Sequence, residues 1–155
     1  MKMKYLFSII FLLSFLCENL KAQNLDHKNI IKPIQTLFEG MEKNDSSMVR
    51  KVFSEDISFL TVSRDKNIKT FLKAGDVQQF LNTIGSPKEV ALREVISNIK
   101  VQVDGDFASV WCDYSFYLGK EFHHCGIDQF LLINSDTGWK IRQIVDTRRT
   151  ENCNQ

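Results

Sequence analysis

Proline and glycine are scarce: 155 residues hold two prolines and seven glycines. That excludes collagen-like repeats and proline- or glycine-rich low-complexity tracts. Charge of one sign is missing too. Lys and Arg number 20 against 19 Asp and Glu, a formal net charge of +1, and no basic block occurs. A dedicated nucleic-acid binder needs such a block, so nucleic acid is not an expected partner. The chain has no phosphate loop, dinucleotide fingerprint, HExxH pair or nucleophile elbow. What it has is globular composition, 43% hydrophobic and 25% charged, in a length that allows one domain.

The longest apolar run lies at the start. Residues 1–22 read MKMKYLFSIIFLLSFLCENLKA, with Lys2 and Lys4 ahead of an apolar stretch from Tyr5 to Cys17 and a small residue, Ala22, at a plausible cut site. This is the layout of a cleavable secretory signal peptide. The stretch is shorter than the ~20 residues that span a bilayer as a helix. An uncleaved anchor and a lipoprotein acylated at Cys17 are the alternatives, the latter set back by bulky Leu16 ahead of the cysteine. The expectation is a secreted or periplasmic protein, free of the membrane after cleavage, with residues 23–155 forming a single domain.

Three cysteines follow the signal: Cys112, Cys125 and Cys153. Their spacing matches no zinc pattern. An oxidising destination permits one bridge and leaves one thiol over. Cys125–Cys153 and Cys112–Cys125 are the candidates, with the first preferred because the polar tail after Arg149 is free to fold back.

Helical spacing of Ile30, Ile31, Ile34, Leu37, Phe38 and Met41 predicts a helix over 29–41. Pro33 is best tolerated in a first turn, which puts the regular start near Ile31 or Lys32. Asp45-Ser46-Ser47 offers a cap for a short helix through Phe53. Strands are expected over 57–61 and 68–72 with a turn at 63–67 between them. Gly75-Asp76 opens a third helix, ended by Gly85-Ser86-Pro87. Four long strands complete the chain, over 89–103, 106–118, 121–133 and 139–148. Turn residues Asp104-Gly105, Gly119-Lys120 and 134–138 separate them. Helices first and an antiparallel meander after give an α+β fold, one helical layer on a curved sheet.

Several stretches carry a family likeness. They are Val103-Asp104-Gly105-Asp106-Phe107-Ala108-Ser109-Val110-Trp111, Tyr114-Ser115-Phe116-Tyr117, and His124-Cys125-Gly126 with Asp128 and Phe130. Gly138-Trp139-Lys140-Ile141 and Asp146-Thr147-Arg148-Arg149 complete the set. Together with the element order, they resemble the nuclear-transport-factor-2-like superfamily, and within it the small secreted proteins described as "putative lumazine-binding" or SnoaL-like. The resemblance covers most of residues 28–150. It implies a cone-shaped fold, mostly antiparallel, with a ligand cavity between sheet and helices. It also implies a range of roles, from isomerases, dehydratases and hydrolases to pure binding domains.

Hairpin arithmetic from these turns sets Glu94, Ser115, His124 and Arg148 in one lateral row. Ile96, Asp113, Gly126 and Asp146 form the next, and Asn98, Trp111, Asp128 and Ile144 the third. Alternation puts all three rows on one face and the apolar set, including Tyr114, Phe116, Val110 and Ile141, on the other. A single bulge would move part of a strand across. On this reading the candidate chemical groups are His124 as a base, Asp128 or Asp146 as its orienter or acid, and Arg148 as an anion partner. Trp111, Tyr114 and Phe116 are candidate ligand contacts, and Asp56 sits where some superfamily enzymes keep a pocket acid. His123 and His124 are adjacent and expected on opposite faces, so no metal site is expected, and no cofactor. The leading expectation is a secreted, non-catalytic domain binding a small hydrophobic or planar ligand, as a homodimer. The alternatives are an isomerase-, dehydratase- or hydrolase-type enzyme and a dimeric interaction module.

Overall fold

The computed structural model describes residues 27–64 and 69–153. The signal segment at 1–22 lies outside the described residues, as does most of the turn at 63–67. Helix α1 occupies residues 27–42 and buries the stripe Ile30, Ile34, Leu37, Phe38 and Met41. Pro33 lies inside α1, not in its first turn. Its missing N–H leaves the carbonyl of Asn29, an exposed residue, without its helical partner. The helix stops at Asn44, left-handed with φ 56°, while Asp45 N donates to Gly40 O at 2.8 Å.

Asp45 then caps α2 (Ser46–Val52), accepting from Met48 N at 2.9 Å. Strand β1 (Phe53–Arg64) follows without a linker, four residues ahead of the strand start expected at 57. Strand β2 (Thr70–Gly75) pairs back on β1. Asp76 caps α3 (Val77–Gly85), accepting from Gln79 N at 2.9 Å, and α3 buries Leu81 and Ile84. The long strands are β3 (Leu92–Asp104), β4 (Phe107–Leu118), β5 (Glu121–Ser135) and β6 (Gly138–Thr147).

The six strands form one sheet in the order β2-β1-β6-β5-β4-β3. All neighbours are antiparallel except β1 and β6, which run parallel and join the first strand to the last. The helices lie on the concave side, where Phe38 of α1 meets Phe130 of β5 edge-on with ring centroids 6.1 Å apart. Val110, Cys112, Phe130, Leu132 and Ile141 are among the sheet residues of the core.

Four register shifts bend this sheet, one in each of the pairs β1/β6, β3/β4, β4/β5 and β5/β6. They also overturn the expected rows. The first hairpin closes with Asp104 opposite Phe107, so Gly105-Asp106 is the loop, one residue later than expected. The bulge between Ser97 and Lys100 takes one residue back, so Glu94 pairs with Phe116, not Ser115. In β5 the extra residue is His123, and His124 also pairs with Phe116. Asp128 pairs with Cys112 and Asp146, not with Trp111 and Ile144. A one-residue slip exchanges faces. The polar and apolar rows thus interleave on the concave side instead of occupying opposite sides.

Cys125 and Cys153 form a disulfide, and Cys112 is free and buried. Beyond β6 the tail keeps pairing with β5 through two 2.9 Å backbone hydrogen bonds between Cys125 and Arg149. Among the described residues, no helix is long and apolar enough to cross a membrane.

Candidate functional site

A cavity of about 470 Å³ opens between the concave face, α1 and α3. Its walls are largely aromatic and aliphatic: Phe38 and Met41 from α1, Phe80 from α3, Phe59 from β1, Phe130 from β5 and Ile144 from β6. Phe59 and Phe80 meet edge-on at 5.1 Å. Such a volume and lining are those of a small-molecule site.

One end is polar, and the strand registers explain why. Glu94, Tyr114, His124, Asp128, Asp146 and Arg148 all line the cavity. Glu94 follows the inward phase of Leu92 and Ile96 on β3. Tyr114 lies opposite Gly126, and its OH donates to Thr147 O at 2.9 Å. Gly126 is indispensable to this contact. A Cβ there would stand 1.8 Å from Thr147 O and 2.6 Å from Tyr114 Cε1. Thr147 in turn uses its hydroxyl oxygen to accept from Ile127 N at 3.0 Å.

The carboxyls divide into two groups. Asp146 is tied down: Thr61 Oγ1 donates to it at 2.5 Å and Arg148 Nε at 2.6 Å. Asp128 is 4% exposed and hydrogen-bonds Glu94. Burial pushes Asp128 up to about 7, with Glu94's hydrogen bond and Arg148 pulling down and the Asp146 charge pushing up. Burial likewise holds Glu94 well above the carboxylate range, reinforced by Asp128 and Asp146 and opposed by Arg148. Glu94 and Asp128 thus behave as a pair holding one proton between them.

His124 is the reverse case. Burial, then Arg148 and His123, push its pKa down to about 4 against the pull of Asp146, so the imidazole is neutral at pH 7. Its hydrogen bond is not to either aspartate. The β5 bulge turns His123 to the same side, and the two Nδ1 atoms stand 2.8 Å apart. The adjacent imidazoles are therefore side by side, contrary to the opposite faces expected from simple alternation. Burial raises the Tyr114 hydroxyl and the Cys112 thiol far above their ordinary values, with Asp128 adding to both. Both stay protonated. Among the described residues, no group of three or more His, Cys, Asp and Glu is arranged to hold a metal ion.

The cavity brings together six of the residues singled out in the sequence: His124, Asp128, Asp146, Tyr114, Phe116 and Arg148. Trp111 does not join them. It lies on the convex face, 49% exposed, because the β3/β4 and β4/β5 registers give Cys112 the inward position. Asp56 is also outside, ion-paired with Arg142 at 2.9 Å on the surface. Glu94 is the residue the sequence reading did not single out for chemistry. Its signal was available: an acid spaced two residues from Leu92 and from Ile96, in phase with both.

A fold of this kind with a cavity of this kind is common to many proteins, and sequence separates them. The family profile described as "putative lumazine-binding" matches residues 25–144. The chain belongs to that family. This lumazine-binding-family protein also resembles solved structures of the nuclear-transport-factor-2-like superfamily. One is an NTF2-like protein of unknown function from Shewanella baltica, with 19% identity, TM-score 0.58, and coverage of 81% of this chain and 94% of that one. Another is an NTF2-like protein with a cystatin-like fold from Novosphingobium aromaticivorans, with 15% identity, TM-score 0.64 and coverage of 87% and 88%. A third, from the same species, is named a putative scytalone dehydratase, with 18% identity, TM-score 0.63 and coverage of 83% and 87%. At these identities the likeness is one of fold. No curated protein matches the sequence significantly.

Proposed function

We propose that this protein is an exported, non-catalytic binding domain that holds a planar, mainly apolar small molecule in the cavity. The observation that carries this reading is the cavity itself: aromatic side chains from α1, α3 and the sheet, and among them a cluster of acids from β3, β5 and β6 with Arg148 at the end of the sheet. Membership of a family described as lumazine-binding supports a flat ligand with a hydrogen-bonding edge. Export is supported by the layout of residues 1–22 and by the Cys125–Cys153 bridge, which suits an oxidising compartment. A homodimer formed through the convex face is part of the proposal, supported by the exposure there of Trp111, Phe107 and Val95. The test is native mass spectrometry of the mature protein as purified, followed by thermal shifts with flat heteroaromatic compounds. A bound small molecule, or shifts of several degrees, is the expected result. No bound mass and no shift across the panel would refute it.

One observation favours a second reading. Glu94 and Asp128 face the cavity as a proton-sharing pair, which suits acid–base chemistry on an isomerase- or dehydratase-type substrate. On this reading the pair moves the proton, and Asp146 positions Arg148. His124 lacks the carboxylate orienter a base would need and is not the leading candidate. Turnover by the wild type, abolished in Glu94→Gln, would favour this second reading over simple binding.

A further inference from the structure

The polar end has more acceptors than donors, and this inventory narrows the ligand. Among the described residues, three carboxyls face the cavity there: Glu94 from β3, Asp128 from β5 and Asp146 from β6. Several of the donors there are already engaged, although the Arg148 Nη groups are not. Tyr114 OH donates to Thr147 O, Thr61 Oγ1 and Arg148 Nε both donate to Asp146, and His124 Nδ1 is taken up with His123. From the helical side, α1 supplies only apolar side chains to the cavity, and α3 adds Gln79, Thr83 and one more acid, its exposed N-cap Asp76. Among the described lining residues Arg148 is the single cation, and Asp146 pairs with it at 2.6 Å. Acids outnumber cations in this lining, so a ligand that brings charge to this end is favoured when that charge is positive and carried on N–H groups.

Resting on the binding reading above, we propose that the cavity selects ligands whose polar edge is a basic, N–H-rich group, of the amidine or protonated aminopyrimidine kind, on a flat apolar body. The apolar body lies among Phe38, Phe59, Phe80 and Phe130, and the cationic edge bridges Glu94 and Asp128. Before binding, these two carboxyls share one proton. A cation carrying two N–H donors takes the place of that proton, which passes to solvent. Both carboxylates then accept charge-assisted hydrogen bonds. A carboxylate-bearing ligand of the same shape is repelled, because Arg148 is already matched by Asp146.

Three probes of one shape and three charges test this: 2-naphthamidine, 2-naphthamide and 2-naphthoate, titrated calorimetrically into the mature protein. At pH 7 the amidine is expected to bind at least about tenfold more tightly than the amide, and the naphthoate most weakly. Repeating the titration in buffers of different ionisation enthalpy is expected to show proton release with the amidine and none with the amide. Amidine affinity is expected to fall below pH 6, where the shared proton is harder to displace. Glu94→Gln is expected to erase the amidine's advantage over the amide, and a wild-type far-UV circular dichroism spectrum with a cooperative thermal transition shows that the variant is folded. If all three probes bind equally, or the naphthoate binds best, the cavity is a binding site but the cation selection is wrong. If none of the three binds, the binding reading itself falls, and this inference with it.

Discussion

Replacing Gly126 by alanine is the most direct test of how the polar end is built. The glycine has no positive φ, so alanine meets no backbone penalty there, and the whole effect is steric. The added carbon would lie 1.8 Å from Thr147 O, 2.8 Å from Thr147 C and 2.6 Å from Tyr114 Cε1. Two of these three atoms are backbone, in a segment held by the Tyr114 hydroxyl, the Ile127 amide and the Cys125–Arg149 bridge. Relief requires the end of β6 to move by more than 1 Å and the Tyr114 hydrogen bond to break. Overpacking of this kind costs about 1–3 kcal/mol, and a lost buried hydrogen bond adds roughly 1 kcal/mol. A destabilisation of about 3 kcal/mol corresponds to a fall in Tm of roughly 10 °C for a chain of this size. Gly105→Ala is the matched control. It has φ 55° and open space around it, so its cost is conformational only, about 1–2 kcal/mol. Urea and thermal unfolding of both variants give the comparison. If Gly126→Ala were no worse than Gly105→Ala, the close packing of Tyr114, Gly126 and Thr147 would be refuted.

Three further outcomes are expected. Glu94 and Asp128 bind protons more tightly when folded than when unfolded, so their contribution to stability is present at low pH and falls as pH rises above the ordinary carboxylate range, for Asp128 from about 4 through about 7. His124 binds its proton less tightly when folded, so its contribution rises with pH between about 4 and 6.5. The double variant Glu94→Gln, Asp128→Asn should keep only the rising limb, and urea midpoints from pH 4.5 to 7.5 parallel to wild type would contradict the pair. Cys153→Ser opens a 28-residue loop and should cost about 3–4 kcal/mol in denaturant unfolding; a midpoint unchanged from wild type would show the tail contributes nothing. Trp111→Ser should leave cavity binding intact and shift a dimer toward monomer in sedimentation equilibrium, whereas lost ligand affinity would mean that the convex face and the cavity are coupled.

Most of the architecture was legible because its signals are local. Apolar spacing over 30–41, the caps Asp45 and Asp76, and the turn at Gly119-Lys120 all act within a few residues, and helices and hairpin lie where these signals put them. The parallel pairing of β1 with β6 was not legible, because it joins segments about 85 residues apart and no local pattern announces it. The composition of the site was half legible. His124, Asp128, Asp146 and Arg148 belong to one face under the simple alternation used, and they do line one cavity. Simple alternation puts Tyr114 and Phe116 on the other face and Trp111 on this one, because each hairpin register departs from it by at least one residue over part of its length. The cause lies in residues such as Asn98, left-handed at φ 51°, and His123, each absorbing one extra position in a strand. Asparagine tolerates that conformation but does not require it, so its presence in a strand is a weak cue.

These bulges also suggest how a fold of this kind could be retooled. Every side chain beyond an inserted residue trades water for cavity, or the reverse, without a single substitution. Deleting His123, for instance, would re-phase one end of β5 against β4 while leaving Asp128 and Phe130, further along, in place. The chemistry of the pocket can therefore be edited by moving one kink along a strand, while the hydrogen-bonded frame around it persists.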